Sequence, residues 1–134
     1  MNKLFVFTIP ISLILGACEE QWVPVLEDCE VVVIPADCNP NPPAVTLNLK
    51  GHTAAPPNYC AKRNKPVVFR VVPPDDATDT VRTIPKDKGD AWLNGRNDPD
   101  ADGFELTAPD KEGEYGYYVA FKDGHCIDPI IKVH

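Results

Sequence analysis

The chain has 134 residues and almost no serine or methionine. Its single serine, Ser12, lies in an apolar run near the N-terminus, and its single methionine is Met1. Because the rest of the chain has no serine, catalytic triads with a serine nucleophile are excluded there. Basic residues are also few. The chain has 13 Lys and Arg and 20 Asp and Glu, which gives a net charge of −7. Such a surface repels nucleic acid, so we expect no nucleic-acid partner.

The chain also has few stretches that could form a long helix. The chain contains 15 prolines, and proline removes a backbone donor and clashes with the preceding helical turn. The hydrophobic fraction of 43% and the charged fraction of 25% are ordinary for a globular chain with a core. We therefore expect one domain of strands and loops, with short flanking segments.

The N-terminus predicts export. Asn2 and Lys3 precede the run LFVFTIPISLILGA, which is short for a membrane span and typical of a signal peptide over residues 1–17. Leu15-Gly16-Ala17-Cys18 resembles the bacterial lipobox, which implies cleavage before Cys18 and acylation of that cysteine, for example with palmitate. Several acyl chains would hold the protein firmly to a bilayer. The alternative is an ordinary secretory signal with a cysteine nearby.

The resemblance also bears on location. Lipoproteins with an aspartate directly after the lipidated cysteine tend to stay in the inner membrane, and this chain has Glu19 there. We therefore expect a periplasmic or surface-exposed protein of the outer membrane, with the leaflet left open. The expected partners are the membrane, through the lipid on Cys18, and other envelope proteins.

Cysteine usage agrees with export. Without Cys18 an even number remains, which in an oxidising compartment predicts two disulfides. Four cysteines allow three pairings, and the sequence does not choose among them. A zinc or other thiolate site is the alternative, but structural zinc sites usually have closely spaced ligand pairs and no CxxC occurs here. The disulfide candidates are Cys29, Cys38, Cys60 and Cys126.

The exported chain divides into two parts. Residues 18–43 contain the lipidation site and EEQWVPVLEDCEVVVIPADCNPNPP, a proline-rich segment with one short apolar run. We interpret it as a tether that leads into one strand or cover segment, held by one or both of its cysteines. Proline-rich linkers are extended and semi-rigid, so this segment would lift the domain off the membrane.

Residues 44–134 show the pattern of short strands. VTLNLK and FELTA alternate apolar and polar residues, KPVVFRVV is apolar at nearly every position, and TVRTI is a weaker candidate. YGYYVAFK places Tyr115, Tyr117, Val119 and Phe121 on one face. KDG is a plausible hairpin turn, followed by the last strand, IIKV. Short strands separated by turns indicate an all-β, antiparallel sandwich of Greek-key type.

Two sandwich families resemble the C-terminal part. DKEGEYGYY is similar to the immunoglobulin-type tyrosine corner, in which an acid, a glycine and a tyrosine precede the penultimate strand. The tail more closely resembles the cupredoxin pattern of glycine and tyrosine before a strand, a Gly-His turn and a final apolar strand. KRNKPVVFRV also looks like a cupredoxin strand after a polar turn. The expected fold is therefore cupredoxin-like, with an immunoglobulin-like sandwich as the alternative. The matching residues are Gly113, Tyr115, Tyr117, Gly124 and His125.

The cupredoxin resemblance implies a type 1 copper site, which needs two histidines, one cysteine and a weak axial ligand. Val119 stands in the place of the cysteine, and the only methionine leaves with the signal peptide. The upstream histidine should follow VVFRVV, where the chain reads PPDDATDT. His125 alone falls near a ligand place, while His52 and His134 are isolated in sequence and expected on the surface. We therefore expect a domain without copper.

A second metal hypothesis concerns NDPDADGFE. Asp98, Asp100 and Asp102 followed by Gly103 resemble the start of a calcium loop, in which alternate carboxylates converge on one hard cation. The twelfth position, which supplies a glutamate in an EF-hand, is Pro109 here. The alternative is an acidic turn between two strands, where Asp, Asn, Pro and Gly are favoured by turn chemistry alone.

The sequence shows few residues in patterns typical of an active site, so we expect that the protein is not an enzyme. His125 beside Cys126 is the only cysteine-base pair, and neighbours on a strand point to opposite faces. Trp92 is a candidate for ligand stacking, with core packing as the alternative. We expect a membrane-anchored, non-catalytic, copper-free module for protein interaction or structural support. The alternatives are a calcium-binding domain and a copper-handling or electron-transfer protein.

Overall fold

The computed structural model describes residues 22–38, 41–74, 80–98 and 101–134. The predicted signal peptide and Cys18 lie outside these ranges. The described residues include ten strands and a short 3₁₀ turn, Ala91–Leu93. In chain order the strands are β1 Val45–Asn48, β2 Thr53–Ala55, β3 Asn58–Ala61, β4 Pro66–Val72, β5 Val81–Pro85, β6 Gly95–Arg96, β7 Gly103–Thr107, β8 Gly113–Phe121, β9 Cys126–Ile127 and β10 Ile130–Val133.

The strands form two sheets. One has the order β2-β1-β4-β7, and the other has the order β3-β10-β8-β5-β6, with β9 also paired to β8. The predicted all-β sandwich is therefore confirmed. The expectation of purely antiparallel sheets was wrong, because β1 pairs in parallel with β4, and β3 pairs in parallel with β10. The immunoglobulin-like alternative consists of antiparallel sheets, so the mixed pairing favours the cupredoxin-like sandwich.

Alternation of side chains explains the central strands. In β4, Val67, Phe69 and Val71 are buried while Arg70 is exposed, as expected when successive residues point to opposite faces of a sheet. β8 lies between β10 and β5, and its residues Tyr117 and Val119 are fully buried in the core. The two central strands therefore supply much of the apolar layer between the sheets.

The strands that the sequence did not predict are short. β2, β6 and β9 have two or three residues, too few for an alternating pattern to be recognised, and the four residues of β3, NYCA, do not alternate. β3 also depends on a partner that is distant in sequence, β10, whereas β2, β6 and β9 pair with the strand that precedes each of them. Within the described ranges, no helix has both the length and the apolar character required to cross a bilayer.

Candidate functional site

Residues 22–38, which we call the arm, lie along the sandwich and are linked to it covalently. Disulfides join Cys29 to Cys126 and Cys38 to Cys60, with Cα atoms 4.7 and 6.0 Å apart. The prediction of two disulfides is confirmed, and the structure selects one of the three possible pairings. Both bonds connect the arm to strands of the domain, so they fasten the arm at two points.

Hydrogen bonds hold the middle of the arm against β9. The Glu30 backbone N–H donates to the Cys126 carbonyl at 2.9 Å, and the Val32 N–H donates to the Asp128 carboxylate at 3.0 Å. Glu30 and Ile127 form a parallel bridge, and the Val32 side chain packs against the core. The predicted cover segment is thus an extended chain attached beside β9.

Exposed apolar side chains are concentrated on the arm. Val31 and Val33 expose 80% and 87% of their surface, and Val23, Val25 and Leu26 are also exposed. Among the described residues these five are the only large hydrophobic side chains that are exposed. Apolar surface concentrated on one segment is a common mark of an interaction site.

The outward edge of the arm also has free backbone groups. Within the part of the chain that the structure describes, the N–H groups of Val31 and Val33 have no hydrogen-bond partner. Their neighbours Glu30 and Val32 bond inward, as alternate residues of an extended chain do. The arm therefore presents two exposed valines and two unpaired N–H groups on the side away from β9, and this outward edge is the candidate functional site.

The places of the type 1 copper ligands do not suit that metal. Val119 is fully buried in the core at the place of the cysteine ligand, and all four described cysteines are in disulfides, so they offer no thiolate. Residues 75–79, part of the segment where the upstream histidine would lie, are outside the described ranges. Cys126 is also unavailable as a nucleophile beside His125. The residues that are described do not fit a copper–thiolate centre.

The predicted calcium loop is described only in part. Asp100 lies outside the described residues, and the Asp98 carboxylate contacts the Arg96 guanidinium at 3.4 Å. Asp102 is exposed, and its carbonyl accepts a hydrogen bond from the Val71 N–H at 2.8 Å. A Cβ added to Gly103 would lie 2.2 Å from the Phe69 carbonyl oxygen. Glycine is therefore required here by close strand packing, and calcium binding stays a prediction.

A polar cluster lies at one end of the sandwich. The His52 Nε2 atom is 2.6 Å from one carboxylate oxygen of Asp123, and the His125 Nδ1 atom is 3.0 Å from the other. The two imidazole rings stack with centroids 3.8 Å apart. His52 was expected to be an isolated surface residue, but the fold brings it next to His125. It is only half-buried, and Asp123 and His125 are exposed.

The cluster changes the acidity of its carboxylate. Partial desolvation acts to raise the pKa of the Asp123 carboxyl. Hydrogen bonds from the His125 backbone N–H and from the imidazoles of His52 and His125 outweigh this effect and lower that pKa from 3.8 to about 2. The carboxylate is therefore ionised at any neutral or mildly acidic pH. One part of this cluster could be predicted from the sequence, because KDGH beside β8 is typical of a turn. No sequence pattern indicated that His52 would lie next to that turn.

A surface cleft of about 670 Å³ lies between β5, β6 and β7 and includes Pro24 of the arm. Its lining mixes the cations Arg82 and Arg96 with the carboxylates of Asp98 and Glu105, so its charge selects no single class of ligand. Trp92 is not part of this lining. Its ring meets Tyr115 edge to face at 5.3 Å and packs against the core, which supports the packing interpretation of Trp92.

No protein-family model matches the chain, and no curated protein sequence matches it. Two solved structures share its backbone arrangement to a limited degree. A purple cupredoxin from Nitrosopumilus maritimus is 16% identical with a TM-score of 0.46, covering 67% of this chain and 99% of its own. A copper-containing nitrite reductase from Thermus scotoductus SA-01 is 17% identical with a TM-score of 0.49, covering 70% of this chain and 23% of its own. Likenesses of this size assign neither activity nor cofactor to this chain.

Proposed function

We propose that the chain is a lipid-anchored envelope protein whose copper-free sandwich is a non-catalytic module, and that the arm binds another envelope protein. The observation that carries this proposal is the concentration of exposed apolar side chains on the arm, with Val31 and Val33 at 80% and 87% exposure. Because all four described cysteines are in disulfides, none of them offers the thiol that a cysteine nucleophile requires.

The bound partner contributes an extended strand to the arm. A peptide that adds to a free sheet edge gains main-chain hydrogen bonds, and pockets or apolar contacts for alternate side chains give it specificity. The outward N–H groups of Val31 and Val33 can donate the main-chain hydrogen bonds, and their side chains can make the apolar contacts. Proteins usually protect free edges with charged side chains, especially lysine, or with proline, and residues 31–34, VVVI, which lie between Glu30 and Pro35, contain neither.

The disulfides prepare the arm for binding. Because Cys29 and Cys38 are bonded to the domain on either side of Val31 and Val33, this part of the arm is already extended before a partner arrives. A pre-ordered segment loses less conformational entropy on association, which increases affinity.

Membrane attachment rests on the lipobox resemblance. Cys18 precedes the first described residue of the arm, Trp22, by four positions, so the anchor would hold the arm close to the membrane, whereas the proline-rich composition had predicted a spacer that lifts the domain away from it. We expect Cys18→Ser to move the protein from the membrane fraction to the soluble fraction and to abolish incorporation of labelled palmitate. Unchanged fractionation and labelling in this variant would contradict the anchor without affecting the proposal for the arm.

The binding edge is tested by adding charge to it. The double variant Val31→Lys, Val33→Lys should lose a partner that co-purifies with the wild type from solubilised envelopes. Once this partner is identified by mass spectrometry, its affinity for both purified forms is measured. Glu105→Lys, on the exposed edge of β7, is a control with the same change of net charge and should bind normally. Equal affinities of the wild type and the double variant would refute the assignment of the edge.

A further inference from the structure

Two turns that are far apart in sequence meet at the end of the sandwich with three metal-ligating side chains. His52 lies in the turn between β1 and β2, while Asp123 and His125 lie in the turn between β8 and β9. One nitrogen or oxygen atom from each of the three side chains lies within 4.8 Å of the others. Among the described residues, this is the only group of three such side chains that close together.

Backbone structure fixes the turn that carries His52. The Asn48 side-chain oxygen accepts hydrogen bonds from the N–H groups of Lys50 and Gly51, both at 2.9 Å. His52 itself has a φ of 54°, in the left-handed region that is uncommon for residues other than glycine but in which Asn, Asp and His are enriched. Its ring meets Phe121 edge to face at 5.0 Å. The ring is thus held in place between its own turn and β8.

The second turn is equally well defined. The Phe121 N–H donates to the His125 carbonyl at 2.8 Å, and the Gly124 N–H donates to the Phe121 carbonyl at 2.9 Å. The Asp123 carboxylate accepts a hydrogen bond from the His125 backbone N–H at 3.1 Å. These bonds place the Asp123 carboxylate within reach of a nitrogen of each imidazole before any ligand is present.

We propose that His52, Asp123 and His125 bind one divalent transition-metal ion of the Zn²⁺ or Cu²⁺ class. Imidazole nitrogen and carboxylate oxygen are ordinary ligands of these ions, whereas Ca²⁺ and Mg²⁺ prefer sites made of oxygen atoms. The site differs from a type 1 copper centre because it has a carboxylate and no thiolate.

Rotation of one exposed ring converts the cluster into a coordination site. With bonds of about 2.0–2.1 Å, ligand atoms of a tetrahedral ion lie about 3.3 Å apart, and the two nitrogen–carboxylate distances here are 2.6 and 3.0 Å. The stacked rings must separate so that both present a nitrogen to the ion. The His125 side chain is 60% exposed, so its ring can rotate without disturbing the core, while His52 stays in place.

The exposure of the site predicts how the ion is held. Structural zinc sites are closed by four protein ligands, whereas a site with three protein ligands keeps a position for water or another ligand. Asp123 and His125 face solvent, so the bound ion exchanges with the surroundings. We therefore infer that the site takes up and releases an ion reversibly. The protein should fold without this ion.

The test titrates the untagged full mature chain, in detergent micelles, with Zn²⁺ against a chromophoric competitor. The wild type should bind one equivalent with micromolar or tighter affinity. His52→Asn, Asp123→Asn and His125→Asn should each weaken binding by more than about tenfold. Loss of a residue that only supports a metal ligand already weakens metal affinity by about tenfold or more, and loss of a ligand should cost more than that. Asparagine suits position 52 because it tolerates the left-handed conformation, and amide exchange spectra verify that each variant is folded.

A second probe counts the ligands directly. With one equivalent of Cu²⁺, the electron paramagnetic resonance spectrum should show coupling to two imidazole nitrogens in the wild type and to one in His52→Asn. His134→Asn alters the remaining histidine and should bind like the wild type. The proposal is overturned if the wild type takes up no stoichiometric ion, if His52→Asn and His125→Asn bind as tightly as the wild type, or if His134→Asn loses binding equally.

Discussion

At the scale of single residues, two tyrosines of β8 differ in hydrogen bonding although both contribute to the core region. The Tyr115 hydroxyl donates to the Lys111 carbonyl at 2.7 Å, a bond to the backbone a few residues upstream like that of a tyrosine corner. Tyr117 is fully buried, and within the described chain its hydroxyl has no partner. Burial accordingly raises the pKa of Tyr117 well above its usual range.

This difference predicts opposite effects of removing the two hydroxyl groups. Tyr115→Phe should lower the free energy of unfolding by about 1 kcal/mol, because a hydrogen bond is lost. Tyr117→Phe should leave it unchanged or raise it, because an unsatisfied buried hydroxyl is removed. Urea denaturation of both variants measures the effect, and each serves as the control for the other. A larger loss in Tyr117→Phe would show that its hydroxyl has a partner.

Asp123 predicts an acid-dependent loss of stability. Its carboxyl has a pKa of about 2 in the folded protein against the usual 3.8. The stabilisation from the ionised group is therefore fully present above the unfolded pKa and disappears as the pH falls through the folded pKa. Carbon-13 titration of the carboxyl in metal-free protein should give a midpoint near 2, and the midpoint should rise towards the usual value in His52→Asn. A wild-type midpoint near 3.8 would contradict the contacts with the two imidazoles.

At the scale of elements, the sequence predicted the strands whose apolar residues alternate or form continuous runs, such as β4 and β8. It did not predict β9, which has only two residues, or β3, which lacks an alternating pattern and pairs with β10 far along the chain. The same limit applies to the sites. His125 was singled out from its turn, but its contact with His52 arises only when β1 and β8 are placed in facing sheets. The sequence predicted that the arm covers the domain. It did not predict which side chains of the arm are exposed, because that depends on how the arm packs against the sandwich.

The two disulfides should stabilise the protein to different degrees. Cys29–Cys126 closes a separation of 97 residues, and Cys38–Cys60 closes one of 22. Cross-links restrict the unfolded chain more when the loop is longer, with about 3 kcal/mol for roughly 15 residues and about 4.7 kcal/mol for roughly 100. Replacing Cys29 and Cys126 by serine should therefore cost about 1 kcal/mol more than replacing Cys38 and Cys60. Chemical denaturation of the two double variants decides this, and a greater loss from the shorter loop would contradict the entropic argument.

At the scale of the whole molecule, the sandwich supports a short extended segment that carries all five exposed large hydrophobic side chains of the described residues. The covalent links of the arm to β3 and β9 make domain and arm one unit. The proposed lipid anchor would hold this unit at the membrane, and the proposed metal site lies in turns of the sandwich that do not belong to the arm. Loss of metal binding should therefore leave binding through the arm intact.

The most direct test of the proposed function is site-specific photo-crosslinking in intact envelopes. A photoreactive residue at position 33, on the exposed edge of the arm, should give one discrete adduct with another envelope protein. The same residue at position 105, on the exposed edge of β7, should give none. Adding Val31→Lys should remove the adduct at position 33 without changing the amount of protein in the membrane. No adduct at position 33, or equal adducts at both positions, would contradict the assignment of the arm as the binding edge.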